Sequence, residues 1–554
     1  MTLPAIAALA FMAVNALFAI RKASLASASE YVLAGRRLSG FHTMATMAAS
    51  NLSAFTVFGV SGAGYRLGWA FFPVMAFGTG FMALSFAVLG MPARRLAAER
   101  GWITPGHLVG NRFGSPALGK AFSALSLLYT LPYLAAQAGS GGRLVATVTG
   151  LPVAACSAFL VGIIALYVVR GGMRSVVRTD VLQLGALIGL GIAAFVIVLA
   201  SARAGGALEA VAADLPRAAR DGTNGSLGWL PLVGYYLLWS LADPMFPHLT
   251  QRFYAARSDR ALLGTMAAYP FVSLAVFFPM VAIGVIGGTM VPGLSGAAAD
   301  GIFTEMARVA AGPVWGPVFV IAALSALMST MDSQLLACAS MATEDFMPAP
   351  RRTPRAVAAA GLGMAVLAWL VSLRPPASLL DFLGRTAFPG YASLAPAFIT
   401  ALYFPGIGPA AALASLGAGT ALVAAEAAGV LPMPVAFGAP VPAVMLNLAI
   451  QVAVIVVVVV VGRIRAGRTV SDRAGTRSAP VRSPVKPAWA AVFAAFLFAA
   501  TDPWNFGRVP GMVAGVPGWV WYHVGLTALL GVAYAVFART VTRGGDCPPG
   551  PPAA

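Results

Sequence analysis

The chain has 554 residues, of which 59% are hydrophobic and 10% are charged, and its mean hydropathy is +0.83. Apolar stretches of about 20 residues recur along its whole length, which excludes a soluble globular protein and predicts a polytopic helical membrane protein. The formal net charge of +18 would suit a protein that binds nucleic acid, but the positions of the charges argue against such a partner.

Fifteen stretches are apolar enough to be predicted as membrane spans. They lie near residues 3–20, 42–64, 68–92, 116–146, 151–169, 174–200, 227–252, 260–287, 313–343, 355–373, 377–404, 408–429, 441–462, 487–503 and 517–538. With the N-terminus outside, the inside segments hold 27 of the 36 Lys and Arg residues and the outside segments hold 8. This asymmetry predicts a plasma (inner) membrane protein with a cytoplasmic C-terminus. We expect no nucleic acid and no obligate protein partner.

The first predicted span has no basic segment before it and is followed by Arg21 and Lys22. This polarity is the reverse of a cleaved signal peptide, so we expect a retained helix followed by an inside loop, together covering residues 1–41. The three cysteines, Cys156, Cys338 and Cys547, show neither metal-binding nor disulfide spacing.

The second predicted span carries polar residues at its middle, where Asn51 and Ser53 stand among apolar neighbours. Such residues are costly in a membrane unless they line a cavity or lie beside an unwound backbone. The seventh span contains Trp239, Asp243 and His248 together with two prolines, Pro244 and Pro247, that prevent a continuous helix. Both spans are therefore predicted to be discontinuous.

The two interrupted spans are five spans apart, and because five is odd they cross the membrane in opposite directions. Two inverted repeats with a binding site at the membrane midplane have this property. The predicted units are repeat 1 at 42–200, with core helices 1–5, and repeat 2 at 201–404, with core helices 6–10. Peripheral helices at 405–465, a basic cytoplasmic linker at 466–486 and a two-helix module with its tail at 487–554 follow.

The ninth span places Ala326, Ser329, Thr330 and Ser333 on one helical face. Compact hydroxyls beside small residues can bind a desolvated hard cation. They can also hold two helices together, and for an isolated membrane helix that is the more common role. Asp332 lies to one side of this face, and we expect it to bond a neighbouring helix.

The chain resembles the sodium/solute symporter family, which includes proline, pantothenate, monocarboxylate and sugar symporters. Four segments carry the resemblance: Tyr31 to Leu38 with Ala48 to Ala54, Gly171 to Gln183, Pro247 to Ala256, and Ala326 to Leu336. They occur in the family's order and spacing, and the resemblance covers roughly residues 1–465. It implies an all-α fold with a five-plus-five inverted repeat of the leucine-transporter type, with one helix before it and about four after it.

The resemblance also implies a sodium site between the first broken core helix and the eighth core helix. Its ligands would be the backbone carbonyls of Ala49, Leu52 and Ala326 and the hydroxyls of Ser329 and Thr330. Asp180 matches an acidic position that in some relatives serves a second cation site or coupling, although a pair with Arg174 or Arg178 is an equal alternative. Asn51 stands where proline symporters have Asp, which argues against proline specificity.

Six residues are candidates for substrate binding: Asn51, Ser53, Gln137, Trp239, Asp243 and Arg385. A buried Arg385 would suit a carboxylate, because its planar fork accepts two oxygens. An intrahelical pair of Arg385 with Asp381 is the stronger alternative. The Pro-His pair at 247–248 and Arg385 favour a small organic anion, such as a monocarboxylate or a pantothenate-like compound.

The sequence therefore predicts a sodium-coupled symporter and not an enzyme, since the four His and three Cys form no nucleophile–base set. Two alternatives remain open. One is proton coupling through Asp180 or His248, and the other is a membrane receptor built on the same scaffold. The last two helices resemble small two-helix membrane proteins that accompany some symporters, so a fused accessory role is a further hypothesis.

Overall fold

The computed structural model describes residues 2–19, 27–213, 227–374, 379–404, 406–431, 433–436, 439–465, 481–506, 508 and 511–543. Nearly all of these residues are helical, with two small β-hairpins. Most of the predicted basic linker, the C-terminal tail and Cys547 lie outside the described residues, and the described cysteines Cys156 and Cys338 are buried and free.

Ten α-helices form the first part of the fold. They are α1 (Leu3–Ala19), α2 (Ala28–Leu33), α3 (Gly40–Asn51), α4 (Val60–Leu67), α5 (Phe71–Met82), α6 (Met91–Arg100), α7 (Pro105–Arg112), α8 (Pro116–Thr149), α9 (Val153–Ala204) and α10 (Ala207–Ala213). Short 3-10 turns occupy Ala34–Arg36 and Gly68–Ala70, and π turns occupy Phe55–Gly59 and Phe86–Gly90.

Thirteen further α-helices follow. They are α11 (Trp229–Ala242), α12 (Pro247–Ala255), α13 (Asp259–Met290), α14 (Ala297–Asp300), α15 (Ile302–Met306), α16 (Gly312–Glu344), α17 (Pro354–Ser372), α18 (Leu379–Arg385), α19 (Ala387–Tyr403), α20 (Pro409–Ala427), α21 (Ala443–Arg465), α22 (Pro487–Thr501) and α23 (Gly518–Arg543). Further 3-10 turns occupy Asp243–Met245 and Ala349–Arg351, and a π turn occupies Ala307–Ala311. The antiparallel hairpins pair β1 (Val435–Ala436) with β2 (Ala439–Pro440) and β3 (Met512–Val513) with β4 (Val516–Pro517).

Eight helical stretches in the described residues are long and apolar enough to cross a membrane, and two shorter apolar helices, α1 and α22, accompany them. The chain is therefore a multi-pass membrane protein. Several of the eight stretches are longer than one span: Phe55–Arg100 has 46 residues and Val153–Ala204 has 52. The fifteen predicted spans thus do not map one to one onto continuous helices.

Helix α9 shows how one stretch corresponds to two predicted spans. A straight helix of its length would measure about 78 Å, far more than the hydrocarbon thickness of a bilayer. Gly172 breaks it with φ +53° and ψ −148°. A Cβ at this position would lie 2.4 Å from the carbonyl oxygen of Tyr31, so both the backbone angles and the contact require glycine.

Helix α16 lies at the centre of the protein. Every residue from Ala322 to Met341 is buried. The helix packs against α9, α8, α17 and α1, so its polar face meets other helices and not lipid. The hydroxyls of Ser329 and Thr330 consequently need partners inside the fold.

Candidate functional site

The first predicted interruption is present at the end of α3. This helix ends at Asn51, and Leu52 has an extended backbone with φ −85° and ψ 101°. Helical structure resumes in the π turn that begins at Phe55. Because the chain leaves the helical path here, the carbonyl groups before and within the break are available to partners other than the next helical turn.

Helix α16 supplies those partners. The Ser329 hydroxyl lies 2.9 Å from the Ala49 carbonyl oxygen and 3.2 Å from the Ala326 carbonyl oxygen. The Thr330 hydroxyl lies 3.3 Å from the Leu52 carbonyl oxygen. The five oxygens that the resemblance implied as sodium ligands therefore meet in two hydrogen-bonded groups where α3 unwinds against α16: Ser329 with Ala49 and Ala326, and Thr330 with Leu52.

Helix α8 also forms hydrogen bonds with the residues of this break. The Gln137 Oε1 atom accepts the backbone N–H of Ala54 at 2.9 Å, and the Tyr133 hydroxyl bonds the Ser53 hydroxyl at 2.9 Å. Ser53, Gln137 and Tyr133 are all buried. Two of the predicted substrate residues, Ser53 and Gln137, thus lie together and hold the backbone of the break in place.

The second predicted interruption separates α11 from α12. A 3-10 turn at Asp243–Met245 and a non-helical Phe246 join the two helices. The Thr250 hydroxyl donates to the Pro244 carbonyl at 2.9 Å and so satisfies one of the acceptors freed by the prolines. His248 is buried and its ring stacks on Phe246 with a centroid distance of 5.4 Å.

Asn51 and Asp243 connect the two interruptions. The Asn51 Nδ2 atom lies 3.0 Å from Asp243 Oδ2 and 2.7 Å from the Tyr269 hydroxyl. Asp243 is 2% exposed. The structure therefore brings four of the predicted substrate residues, Asn51, Ser53, Gln137 and Asp243, to the region between the two broken helices.

A cluster of aromatic rings lies beside this connection. Trp239 packs on Phe388 and Phe55 at centroid distances of 5.1 and 6.0 Å, and Tyr133 packs on Phe388 and Phe246 at 5.5 and 5.8 Å. We call these five residues the aromatic cluster. Trp239 was predicted as a site residue, whereas Phe388 was missed because a lone Phe in an apolar span carries no signal in the sequence.

Asp180 lies in a second buried group, which also contacts α16 through Ser333. Its partner is Arg252, whose Nη2 atom is 3.5 Å from Asp180 Oδ2, and both side chains are fully buried. Thr46 bonds both of them. The alternative pairs with Arg174 or Arg178 are wrong, because Arg174 bonds Glu30 instead and the partner comes from a different helix, α12.

Asp332 adds a second buried carboxylate to this group. The hydroxyls of Tyr167 and Thr179, both on α9, lie 2.8 and 3.1 Å from its Oδ2 atom, as expected for a residue that bonds a neighbouring helix. Ser333 links Asp332 to Arg252, because its hydroxyl lies 3.1 Å from Asp332 Oδ1 and also accepts from the Arg252 guanidinium. The same hydroxyl lies 2.9 Å from the Ser50 hydroxyl. Two carboxylates, Asp180 and Asp332, and the Arg252 guanidinium thus share one buried region.

Arg385 is not brought to this region in the way the sequence suggested. It is the last residue of α18 and is exposed, and only Thr386 separates it from the start of α19 at Ala387. The side chain of its predicted partner Asp381 lies outside the described residues. The expectation of burial is wrong because the predicted span at 377–404 is divided by this second helix start.

The comparison with protein families gives one match over most of the chain. The model of the sodium:solute symporter family matches residues 31–419. This range includes both broken helices, α8, α9 and α16, and therefore every residue of the sites described above.

Several characterised transporters are similar in sequence. The sodium/pantothenate symporter of Haemophilus influenzae is 26% identical over 351 residues, which are 62% of this chain and 71% of that protein. The osmoregulated proline transporter OpuE of Bacillus subtilis is 29% identical over 418 residues, covering 71% and 82%. The sodium/proline symporter of Staphylococcus aureus is 26% identical over 433 residues, covering 74% and 83%.

Solved structures are similar in fold. A Na+-coupled sialic acid symporter in its substrate-bound outward-open state superposes with a TM-score of 0.70 at 15% identity, over 87% of this chain and 99% of that one. The nucleobase-cation symporter Mhp1 gives 0.52 at 14% identity, over 78% and 95%. At these identities the likeness concerns the fold, which is that of a helical membrane transporter.

Proposed function

The chain belongs to the sodium:solute symporter family, and on this basis we propose that it imports a small organic solute together with sodium by alternating access. The observation that carries the proposal is the meeting of the Ser329 and Thr330 hydroxyls with the Ala49 and Leu52 carbonyl oxygens, at 2.9 and 3.3 Å. Sodium here is a co-transported substrate, and its binding would tie a broken helix to a continuous one.

The ligand set suits a monovalent ion that must also leave. It consists of three carbonyl oxygens and two hydroxyls, and it contains no carboxylate. Neutral oxygens replace the hydration shell of sodium without holding it as strongly as a charged ligand would. Without sodium, the two hydroxyls donate to the carbonyl oxygens. With sodium bound, the hydroxyl and carbonyl oxygens would all face the ion. The same atoms would thus hold α3 against α16 in both states.

We propose the predicted five-plus-five arrangement for the core, with residues 42–200 and 201–404 as the two inverted units. The two breaks, at residues 52–54 and 243–246, support it because they occupy matching places in the two units. The proposal keeps about fifteen spans, an N-terminus outside and a cytoplasmic C-terminus in the cell membrane. Rocking of one helix bundle against the other would then expose the site to each side in turn.

Asp180 is proposed to serve a second cation or the coupling of sodium to solute. Asp180 and Asp332 together can carry two negative charges, whereas Arg252 carries one positive charge. The Asp180 Oδ1 atom is buried without a hydrogen-bond partner in the described part of the chain. A buried group with an excess of negative charge is stabilised by a cation or a proton, which is the property that coupling requires.

The solute is proposed to carry a carboxylate, as in the predicted class of organic anions. Two buried donors support this: Trp239 Nε1 and Gln137 Nε2 have no hydrogen-bond partner in the described residues. Both residues contact the break, since Gln137 bonds Ala54 and Trp239 packs on Phe55. Buried donors without partners are uncommon in folded proteins, and a carboxylate is an acceptor that such donors can bind. The exposed Arg385 no longer contributes to this argument.

Uptake into proteoliposomes tests the proposal and separates it from proton coupling. A panel of radiolabelled carboxylates, including pantothenate and proline, is offered under an inward sodium gradient with the interior negative. Each positive charge that moves inward gains about 2.3 kcal/mol per 100 mV, so uptake of at least one solute should rise with both gradient and potential. Uptake driven by a pH gradient in sodium-free buffer, with no response to sodium, would contradict sodium coupling.

A further inference from the structure

We propose that the transported solute also carries a positively charged nitrogen, and that Asp243 is the specificity-determining residue that binds it. The inference rests on the proposed function and names the class of solute as a small zwitterion. It follows from where Asp243 lies, what neutralises it and which side chains surround it.

Unlike three other buried acids, Asp243 has no arginine partner in the described part of the chain. Asp180, Asp259 and Asp300 each lie within 4.0 Å of an Arg side chain. In the described part of the chain, the hydrogen bond recorded for the Asp243 carboxylate is from the neutral amide of Asn51, at 3.0 Å, and no ion pair is found. A buried carboxylate without a cation is costly, so a cation that reaches Asp243 during the transport cycle would be bound favourably there.

The position of Asp243 places that cation at the solute region. It begins the 3-10 turn of the second broken helix, and through Asn51 it touches the first. The Asn51 amide that bonds Asp243 also lies 2.7 Å from the Tyr269 hydroxyl. The carboxylate therefore faces the region that the two breaks enclose, which is the region proposed for the solute.

The aromatic cluster supplies the second half of an ammonium site. Trp239 is one helical turn before Asp243, and its ring packs on Phe55 and Phe388. The faces of aromatic rings attract cations, most strongly when water is excluded, and a carboxylate beside them adds a charged partner. An ammonium group with alkyl substituents would be bound by both features. Its carbons would pack on the aromatic side chains, and its charge would be neutralised by Asp243.

The same region holds donors for the opposite end of the solute. Trp239 Nε1 and Gln137 Nε2 are the buried donors proposed above for a carboxylate. An acceptor for a cationic nitrogen and donors for a carboxylate, all on residues beside the two breaks, match a molecule that carries both charges. A nitrogen-free acid would leave Asp243 without a cation and place a second negative charge near it.

A matched set of ligands tests the inference on the purified protein in detergent. The set consists of proline, its N,N-dimethyl betaine and choline, against cyclopentanecarboxylate and pantothenate, in sodium and in potassium buffer. We expect sodium-dependent thermal stabilisation by at least one compound with a cationic nitrogen, at a concentration at least tenfold below any response to the two acids without one. Asp243→Asn should weaken that response at least tenfold, and Asp243→Glu should restore part of it.

Three results would overturn the inference: no response to any cationic compound, a preference for an acid without a cationic nitrogen, or an unchanged cationic response in Asp243→Asn. The comparison of ligands on the unmodified protein decides the matter even if the variants do not fold. Stabilisation by sodium alone is recorded in parallel. Its absence from the unmodified protein would count against the proposed function, whereas its presence without a nitrogen preference would count against this inference alone.

Discussion

Asp345, one residue past the end of α16, is a buried acid that joins α7, α8 and α16. The hydroxyls of Thr104 and Ser123 donate to its two oxygens at 2.8 and 2.7 Å, and His107 Nε2 lies 3.4 Å away. Burial raises the pKa of this carboxyl, although His107 and the two hydroxyls act in the opposite direction. The folded protein therefore holds the Asp345 proton more tightly than the unfolded chain does.

This raised pKa predicts how stability changes with pH. Below the ordinary carboxyl pKa of about 3.9 both states are protonated and the group contributes nothing. As the pH rises from there through the raised pKa, the folded state must ionise a buried group, and stability is lost. Thermal unfolding in detergent should show the unfolding temperature of the unmodified protein falling relative to Asp345→Asn across this window.

Ser123→Ala is the matched control for that experiment. It removes one bond to Asp345 but keeps the ionisable group, so its unfolding temperature should be lower while the dependence on pH remains. His107, Glu344 and Arg352 also act on Asp345, and they are the same in all three proteins. A difference between the unmodified protein and Asp345→Asn that does not change with pH would contradict the account.

At the residue scale, the sequence identified buried polar residues better than it identified their partners. Ser329 and Thr330 were identified from a polar face, and that face meets the predicted break. Arg252 was missed as the partner of Asp180 because it is 72 positions away in sequence, and the chain alone offered Arg174 and Arg178 nearby. Packing of α12 against α3 and α16, which no local pattern encodes, decides this pairing.

At the scale of elements, Gly172 determines how α9 changes direction. Its φ of +53° lies in a region that side chains with a Cβ avoid, at a cost of about 1–3 kcal/mol. A Cβ would also meet the Tyr31 carbonyl oxygen. We predict that Gly172→Ala lowers the unfolding temperature and the yield of monodisperse protein.

Gly189→Ala provides the comparison, because Gly189 lies in the same helix and a Cβ there meets no atom within 4 Å. This variant should be as stable as the unmodified protein or slightly more stable, since alanine favours helix. Size-exclusion profiles and thermal unfolding measure both variants. Equal stability of the two would show that the break at Gly172 does not depend on glycine.

Both broken helices were predicted from the sequence, because polar residues and prolines inside an apolar span are costly in a continuous membrane helix. The structure adds what closes each break: Gln137 and Tyr133 at the first, and Thr250 at the second. Helix ends were harder to predict. The span at 377–404 looks continuous in composition, yet α18 ends at Arg385 and α19 begins at Ala387, which leaves Arg385 exposed.

At the scale of the whole molecule, the C-terminal helices α22 and α23 form a hairpin that packs on the transporter core. Helix α23 lies against α13 and α5, and the Tyr534 hydroxyl donates to the Phe81 carbonyl at 2.9 Å. The Tyr236 hydroxyl on α11 donates to the Ala500 carbonyl on α22 at 3.0 Å. The hairpin thus contacts helices on both sides of the second break.

These contacts predict that the hairpin stays bound without its covalent link. A protease site placed within residues 466–480 allows the link to be cut in detergent, and the fragment should then copurify with the rest. Gly531→Leu should release it, because a Cβ at this position already meets the Phe271 ring at 2.5 Å. Gly525→Leu, where a Cβ meets nothing within 4 Å, should retain it. Dissociation of the unmodified fragment would mean that the link alone holds the hairpin.

The class of protein was the most predictable property, because hydropathy and charge distribution follow from the bilayer itself. The number of membrane spans was harder to predict. Composition divides the chain into apolar stretches, whereas the structure joins some of them into long helices with bends, as in α9. In the region proposed for the solute, the polar residues Asn51, Ser53, Gln137 and Asp243 were predicted from the sequence, whereas the neighbouring aromatic residues Phe246 and Phe388 depend on packing.

Sodium binding at the junction of α3 and α16 is the central claim, and a sodium titration of thermal stability tests it without knowledge of the solute. Sodium, with potassium as the control salt, should raise the unfolding temperature of the unmodified protein. Ser329→Ala and Thr330→Ala should increase the half-saturating sodium concentration at least tenfold. Ser325→Ala should not, since its hydroxyl bonds the Ile321 carbonyl of its own helix at 2.7 Å. An unchanged half-saturating concentration in both Ser329→Ala and Thr330→Ala would contradict the account.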